Sequence, residues 1–348
     1  MADLTRKELQ ALSNPTVPAQ MLLTPPVPMW PEDSHTWRAR AELRQTIPDL
    51  ADCAPPGTKV ADNDQRLLYS ANMHTVITPA VNAGILAVAE VVRANRQRVG
   101  GKVMIVIDGP RGTGKSTLMD AIAVHWHRRL MRLYGPDENR IPVVALTVPP
   151  PGRGHVRNWA GAFARFMGQE RESGDPTESV IRAMRNARTL LVLVDGVERL
   201  RSRVEAEQAF QYLDVISEET GATVVWCGRN AHVIVDAQLR DTDTPPEDGE
   251  VPWSDSLKLR TSRIGFSEDD TRTFVTIVDR FDQNLRLFQH ERKDLTKLSP
   301  YLHKRSHGYM RTLSHLICQA AQYAILSGEE RITEELLDEV QLGRVVQL

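Results

Sequence analysis

Eight consecutive residues, Gly109-Pro110-Arg111-Gly112-Thr113-Gly114-Lys115-Ser116, satisfy the pattern GxxxxGK[ST] without a mismatch. Each residue type in this pattern has its own duty toward phosphate. The glycines let backbone N–H groups turn inward around phosphate oxygens, Lys115 neutralises charge on the terminal phosphates, and Ser116 Oγ ligates magnesium. Average residue frequencies give roughly a 1% chance of such a run arising somewhere in a chain of this length. The flanks agree with it: an apolar run over 103–107 reads as the preceding strand, and Thr117 onward, through Leu118, Ile122 and Trp126, as the following helix. The loop is therefore expected to hold phosphate oxygens together with Mg2+.

The rest of the chain reads as an α/β protein. Five apolar runs, at 103–107, 141–148, 190–194, 223–227 and 259–266, alternate with amphipathic helical segments, which is the pattern of buried parallel strands in a three-layer sheet. One such helix carries Val156, Trp159, Ala160, Phe163 and Met167 on one face, and another carries Ala209, Phe210, Leu213 and Ile216. Between the fourth and fifth runs, residues 241–250 hold five acids and two prolines and read as a surface loop. After Ser267, a candidate helix cap, the periodicity is helical to the end, strongest from Met310 to Ala324 and closed by Gly328. Nine of the 21 prolines fall in the first sixty residues, and a partly ordered arm is expected there. Its Leu22, Leu23, Met29, Trp30 and Trp37 would pack back on the chain's own domain or dock on a partner. The expected domains are the arm at 1–73, the α/β domain at 74–266 and a small helical domain at 267–348.

Composition narrows the class further. The 348 residues carry a formal net charge of −2, so any nucleic-acid contact must come from a local basic patch. Cys53, Cys227 and Cys318 are far apart and form no CxxC pair, which suggests neither a disulfide framework nor a zinc site and fits a reducing cytoplasm. No run approaches the roughly 18 apolar residues of a spanning helix, so a soluble protein with no membrane contact is expected.

Hydrolysis at a phosphate loop requires a carboxylate at the end of a neighbouring strand, to hold magnesium with Ser116. Leu190-Leu-Val-Leu-Val-Asp195 provides it. Where many such proteins next place a glutamate that polarises the attacking water, this chain has Gly196, with Glu198 two residues beyond. Hydrolysis is then slow, dependent on Glu198, or absent. The fourth run ends in Gly228-Arg229-Asn230, polar residues suited to sensing the terminal phosphate. Asn230 is the candidate for orienting water and Arg229 for reading charge. Arg263 and Arg311 are candidates for stabilising transition-state charge, Arg263 from a neighbouring subunit and Arg311 within its own.

The order of phosphate loop, acidic strand end, sensor strand, arginine strand and helical lid resembles that of AAA+ ATPases. More narrowly the chain resembles the TniB/TnsC group of transposition regulators, from about residue 74 to 338. The telling stretches are Thr147-Val-Pro-Pro-Pro151, Arg260-Thr-Ser-Arg263-Ile-Gly-Phe266, Gly308-Tyr-Met-Arg-Thr-Leu-Ser-His-Leu316 and the run from Ala320 through Ser327-Gly-Glu-Glu-Arg-Ile-Thr333. The resemblance implies a P-loop AAA+ domain with a five-stranded parallel sheet and a small α-helical lid, in which Gly109 to Thr117 would bind ATP and Asp195 would hold Mg2+. It also implies a bacterial cytoplasmic protein, nucleoid-associated when on DNA, that oligomerises on duplex DNA with ATP as a ring or filament. Such an assembly recruits a DDE transposase and meets a TniQ-like targeting protein. Arg153 and Arg157, after the proline run, are the first candidates for DNA phosphate contact, followed by Arg182, Arg185 and Arg188. Two other readings compete. Asp195-Gly196-Val197-Glu198 also resembles the acidic motif of STAND and NACHT nucleotide switches, and a non-hydrolysing ATP-dependent scaffold would use the arm to bridge proteins.

Overall fold

The computed structural model describes residues 28–43, 46–58, 60, 64–71, 73, 76–98, 100–152, 156–169, 175–239 and 256–342. The expected acidic loop at 241–250, Arg153, Leu22 and Leu23 lie outside them. The elements run α1 (Ser34–Glu42), α2 (Gln65–Ala71), α3 (Pro79–Asn95), β1 (Met104–Asp108), α4 (Lys115–Tyr134), β2 (Val143–Thr147), α5 (Trp159–Phe166), α6 (Thr177–Asn186) and β3 (Leu191–Asp195). They continue with α7 (Arg203–Thr220), β4 (Thr223–Gly228), α8 (Ala231–Leu239), β5 (Ser256–Arg260), α9 (Glu268–Asn284), α10 (Asp294–Lys297), α11 (Ser299–Ser306), α12 (Met310–Ser327) and α13 (Glu334–Glu339). Two compact units result, a sheet unit of residues 28–43 and 77–262 and a helical unit containing the described residues of 46–76 and 263–342.

The sheet unit holds five parallel strands in the order β2-β3-β4-β1-β5. All residues of β1 and β4 are buried. Because successive side chains point to opposite faces, both faces must be covered, which makes the domain three-layered. Each fully buried Val, Leu or Ile there contributes about 1.5–3 kcal/mol of transfer free energy. Four strands lie within two residues of their apolar runs, but β5 begins and ends earlier than its run at 259–266. It is an edge strand with alternating exposure, Ser-Leu-Lys-Leu-Arg, so a search for a continuous apolar run overlooks it. The register aligns Asp108 with Gly228 and Arg260, and Asp195 with Cys227 and Thr147. The carboxyl ends of all five strands therefore share one edge.

Residues 28–43 are built into this unit. Asp33 caps α1 through its Oδ1, which accepts the Thr36 N–H at 2.7 Å, and Trp37 is 1% exposed. The proline-rich sequence shows no sustained period, yet two tryptophans, Trp30 stacked on Trp37 with centroids 6.1 Å apart, anchor it.

The helical unit starts at Arg263, four residues before the expected boundary, and includes α2 from the expected arm. Ser267 caps α9 as expected, and Gly328 at φ 78° ends α12. Ile264 belongs here because its N–H donates to Gly308 O at 3.0 Å, and a Cβ on Gly308 would stand 1.9 Å from Ile264 O. His303 is sandwiched between Phe266 and Phe274, with centroids 4.2 and 4.1 Å away. A buried charge cluster fastens α2: Arg66 donates to both carboxylate oxygens of Glu330 at 2.9 Å and to Asp64 Oδ2 at 2.9 Å, with its side chain 0% exposed. Removing the cation leaves two buried carboxylates unpaired. Arg66→Met is expected to destabilise the protein by about 3–5 kcal/mol, read as an early transition in urea unfolding.

Candidate nucleotide site

The phosphate loop is shaped by backbone conformations open to glycine. Gly112 and Gly114 have φ of 85° and 97°, and Gly114 starts α4 with no side-chain cap. The first N–H groups of α4 are thus left to an external acceptor, with the positive end of the helix dipole behind them. At Gly109 the reason for glycine is contact: φ is 150° and a Cβ would lie 2.1 Å from Thr261 O. Thr261, just past β5, donates its N–H to Asp108 O at 2.7 Å, and its hydroxyl lies 2.7 Å from Thr113 Oγ1, which donates to Pro110 O. The loop is therefore braced from outside. Lys115 Nζ donates to Pro110 O at 2.6 Å, held within the loop it serves, and Arg111 is exposed.

Ser116 Oγ, in the first turn of α4 beside Thr117, donates to Asp195 Oδ2 at 2.9 Å. The two residues assigned to magnesium from sequence are thus in direct contact. They fit an ion held jointly with phosphate and water, since a hydroxyl and a carboxylate are hard oxygen donors and magnesium keeps several waters. Among the described residues, no group of three or more His, Cys, Asp or Glu offers a metal site made of protein alone. Gly196 N–H donates to Asp195 Oδ1 at 2.9 Å. Cys227 lies across the strand pair from Asp195. Burial, followed by the Asp195 carboxylate, pushes its thiol well above the usual range and keeps it neutral.

The absence of the usual glutamate at 196 has a conformational reason. Gly196 has φ 82°, and a Cβ there would crowd Arg199 Nε at 3.1 Å. A short 3-10 turn, Val197–Arg199, follows. It carries Glu198 to the turn after β4, where Glu198 Oε2 accepts the Arg229 N–H at 3.1 Å. Gly228 makes room, since a Cβ there would lie 2.4 Å from that same oxygen. Arg229 and Asn230 are exposed, and Asn230, at φ 60°, turns the chain into α8.

The sequence reading missed Asp108, His232 and Trp30. Asp108 accepts the Ala231 N–H at 3.1 Å, and His232 Nδ1 lies 2.6 Å from its Oδ2, a contact that places a ring proton on Nδ1. This pair ties the strand before the phosphate loop to the helix after Asn230. Its one sequence cue is a carboxylate closing an otherwise apolar strand. Trp30 Nε1 donates to Asp195 Oδ2 at 3.0 Å, a contact no local pattern indicates.

The arginine candidates separate. Arg263 and Arg311 are exposed in the helical unit, Arg311 in the first turn of α12. Arg157 is 7% exposed and corrects the expectation of a DNA contact. Its guanidinium donates to Pro149 O, Arg199 O and Glu205 Oε2 at 2.5, 2.5 and 3.0 Å. It clamps the exit of β2 to the segment after β3, so its charge is spent internally. Arg185 is exposed but paired with Glu219, while Arg182 and Arg188 are exposed.

With this geometry in place, the comparisons agree on a fold. Residues 97–233 match a family model described as an AAA domain. The ORC2 protein of Aeropyrum pernix, in ADPNP-ADP complexes, superposes with a TM-score of 0.52 at 16% identity, over 77% of this chain and 70% of that one. The ORC1 protein of Aeropyrum pernix in complex with DNA gives 0.50 at 15%, over 78% and 67%. Drosophila ORC bound to DNA gives 0.50 at 12%, over 88% and 72%. No curated protein matches the sequence. The chain has the P-loop AAA+ fold, with a five-stranded parallel sheet followed by helices.

Gly109→Ala tests the loop directly. It is expected to abolish nucleotide binding in calorimetric titration with ADP, because the added methyl must displace the Thr261 backbone or the loop itself.

Proposed function

We propose that the protein is an ATP-dependent AAA+ regulator of DNA transposition, of the TniB/TnsC kind, that assembles on duplex DNA. The observation that carries its nucleotide chemistry is the 2.9 Å hydrogen bond from Ser116 Oγ to Asp195 Oδ2. Residues Gly109 to Thr117 cradle the phosphates of ATP, with Lys115 against the terminal ones. Ser116 and Asp195 hold Mg2+, which when bound neutralises charge on the phosphates. Asn230 orients the attacking water, Arg229 reads the terminal phosphate, and Arg263 is supplied by a neighbouring subunit. Because Glu198 already accepts a backbone N–H from the sensor strand, hydrolysis is slow, and ATP binding drives assembly by favouring the assembled state.

The transposition reading is supported by the stretches Thr147–Pro151, Arg260–Phe266 and Gly308–Thr333 of the sequence. A DDE transposase and a TniQ-like protein are the partners that follow from it. DNA contact falls to Arg153 with Arg182 and Arg188, as a phosphate surface without base reading. A second reading, a STAND-like nucleotide switch, is favoured by one observation, the Gly196 turn that follows Asp195.

Fluorescence anisotropy of a long random-sequence duplex separates them. Cooperative binding is expected with ATP and a non-hydrolysable analogue, weak binding with ADP, and none for Lys115→Ala. Absence of DNA binding in every nucleotide state would discard the transposition reading. Glu198→Gln is expected to leave ATP binding intact and to remove the remaining turnover, measured as phosphate release. Unchanged turnover would discard Glu198 as the base.

A further inference from the structure

Asp195 Oδ2 accepts two hydrogen bonds, and only one comes from the phosphate loop. The other donor, Trp30 Nε1 at 3.0 Å, reaches it from 165 residues away in sequence. The segment that delivers this indole is fastened along its length. Trp30 stacks on Trp37, and Arg40 pairs with Asp120 at 2.6 Å. Arg38 Nη2 donates to the carbonyls of Asp137, Glu138 and Arg140 at 2.9, 2.9 and 2.7 Å, and Arg128 donates to Ala41 O and Leu43 O. These contacts hold the indole N–H toward Asp195.

The chemistry of the donor matters. An arginine or lysine on this carboxylate would neutralise it and compete with a divalent cation. An indole N–H is an uncharged donor without acceptor capacity, so it fixes the carboxylate while leaving its charge for the metal. With Ser116 on Oδ2, Gly196 N–H on Oδ1 and the neutral Cys227 thiol also against Asp195, the carboxylate is held by uncharged donors on both oxygens. Partners that orient a ligating carboxylate are worth about 10–100-fold in metal affinity.

We propose that Trp30 is a positioning residue for the magnesium-holding carboxylate, and that residues 28–43 thereby govern magnesium loading without touching the nucleotide loop. The inference rests on the reading of Gly109 to Thr117 as a nucleotide loop. It adds that loading of magnesium is coupled to the seating of an N-terminal segment.

The test is calorimetric titration of the full chain with ADP, in EDTA and across a series of magnesium concentrations. Trp30→Phe keeps an aromatic ring beside Trp37 and removes the N–H together with the five-membered ring that carries it. It is expected to bind ADP in EDTA as the wild type does, and to need about tenfold more magnesium to gain its magnesium-dependent affinity. An unchanged magnesium requirement overturns the proposal, and a lowered one overturns it by making Trp30 a competitor. Wild-type protein that binds no ADP in either condition overturns the nucleotide reading and this inference together. If Trp30→Phe is misfolded by circular dichroism, fluorine NMR of the wild type labelled with 5-fluorotryptophan decides instead. One of its six indole resonances, assigned through Trp30→Tyr, is expected to shift when magnesium is added to the ADP complex. No shift of that resonance overturns the proposal.

Discussion

Ser116 and Asp195 meet because β4 lies between β1 and β3 with all three strands parallel and in register. Two strand spacings separate β1 from β3 by about 10 Å, more than a serine side chain spans. The phosphate loop closes that gap, since it leaves β1 and returns α4 over the strand ends. Strand order therefore comes before site geometry. A sheet with β1 and β3 separated further would carry the same loop and the same carboxylate without bringing Ser116 to Asp195.

Several glycines at this edge answer to close approach as much as to phosphate. Gly109 yields to the Thr261 backbone, Gly228 to Glu198, and Gly196 to a left-handed turn against Arg199. The last links two features that look separate in sequence, the missing glutamate after Asp195 and the acid two residues later. The turn at Gly196 directs Glu198 to the Arg229 N–H. The carboxylate is thereby tied to the turn after β4 that bears Arg229 and Asn230.

The two units use buried charge in the same way. Arg157 in the sheet unit and Arg66 in the helical unit each satisfy several acceptors where backbone segments converge. A guanidinium suits this role because its planar fork of donors reaches several carbonyls and carboxylates at once. Arginine counts along the chain thus overstate the positive charge on its surface.

Much of the fold was legible in sequence. The phosphate loop, the apolar runs of β1 to β4, the carboxylate ending β3 and the Ser267 and Gly328 helix ends all depend on neighbours within a few residues, and local spacing encodes them. β5 was displaced because an edge strand alternates instead of running apolar, and residues 28–43 read as an arm because isolated tryptophans have no period. The tertiary structure alone decided that Trp30 reaches Asp195, that Asp108 pairs with His232, that Arg157 is buried and that Arg66 joins Asp64 to Glu330. These contacts span from 2 to 264 residues. Local periodicity reports which face of an element is apolar, and only the packing of distant elements selects the partner of each polar group.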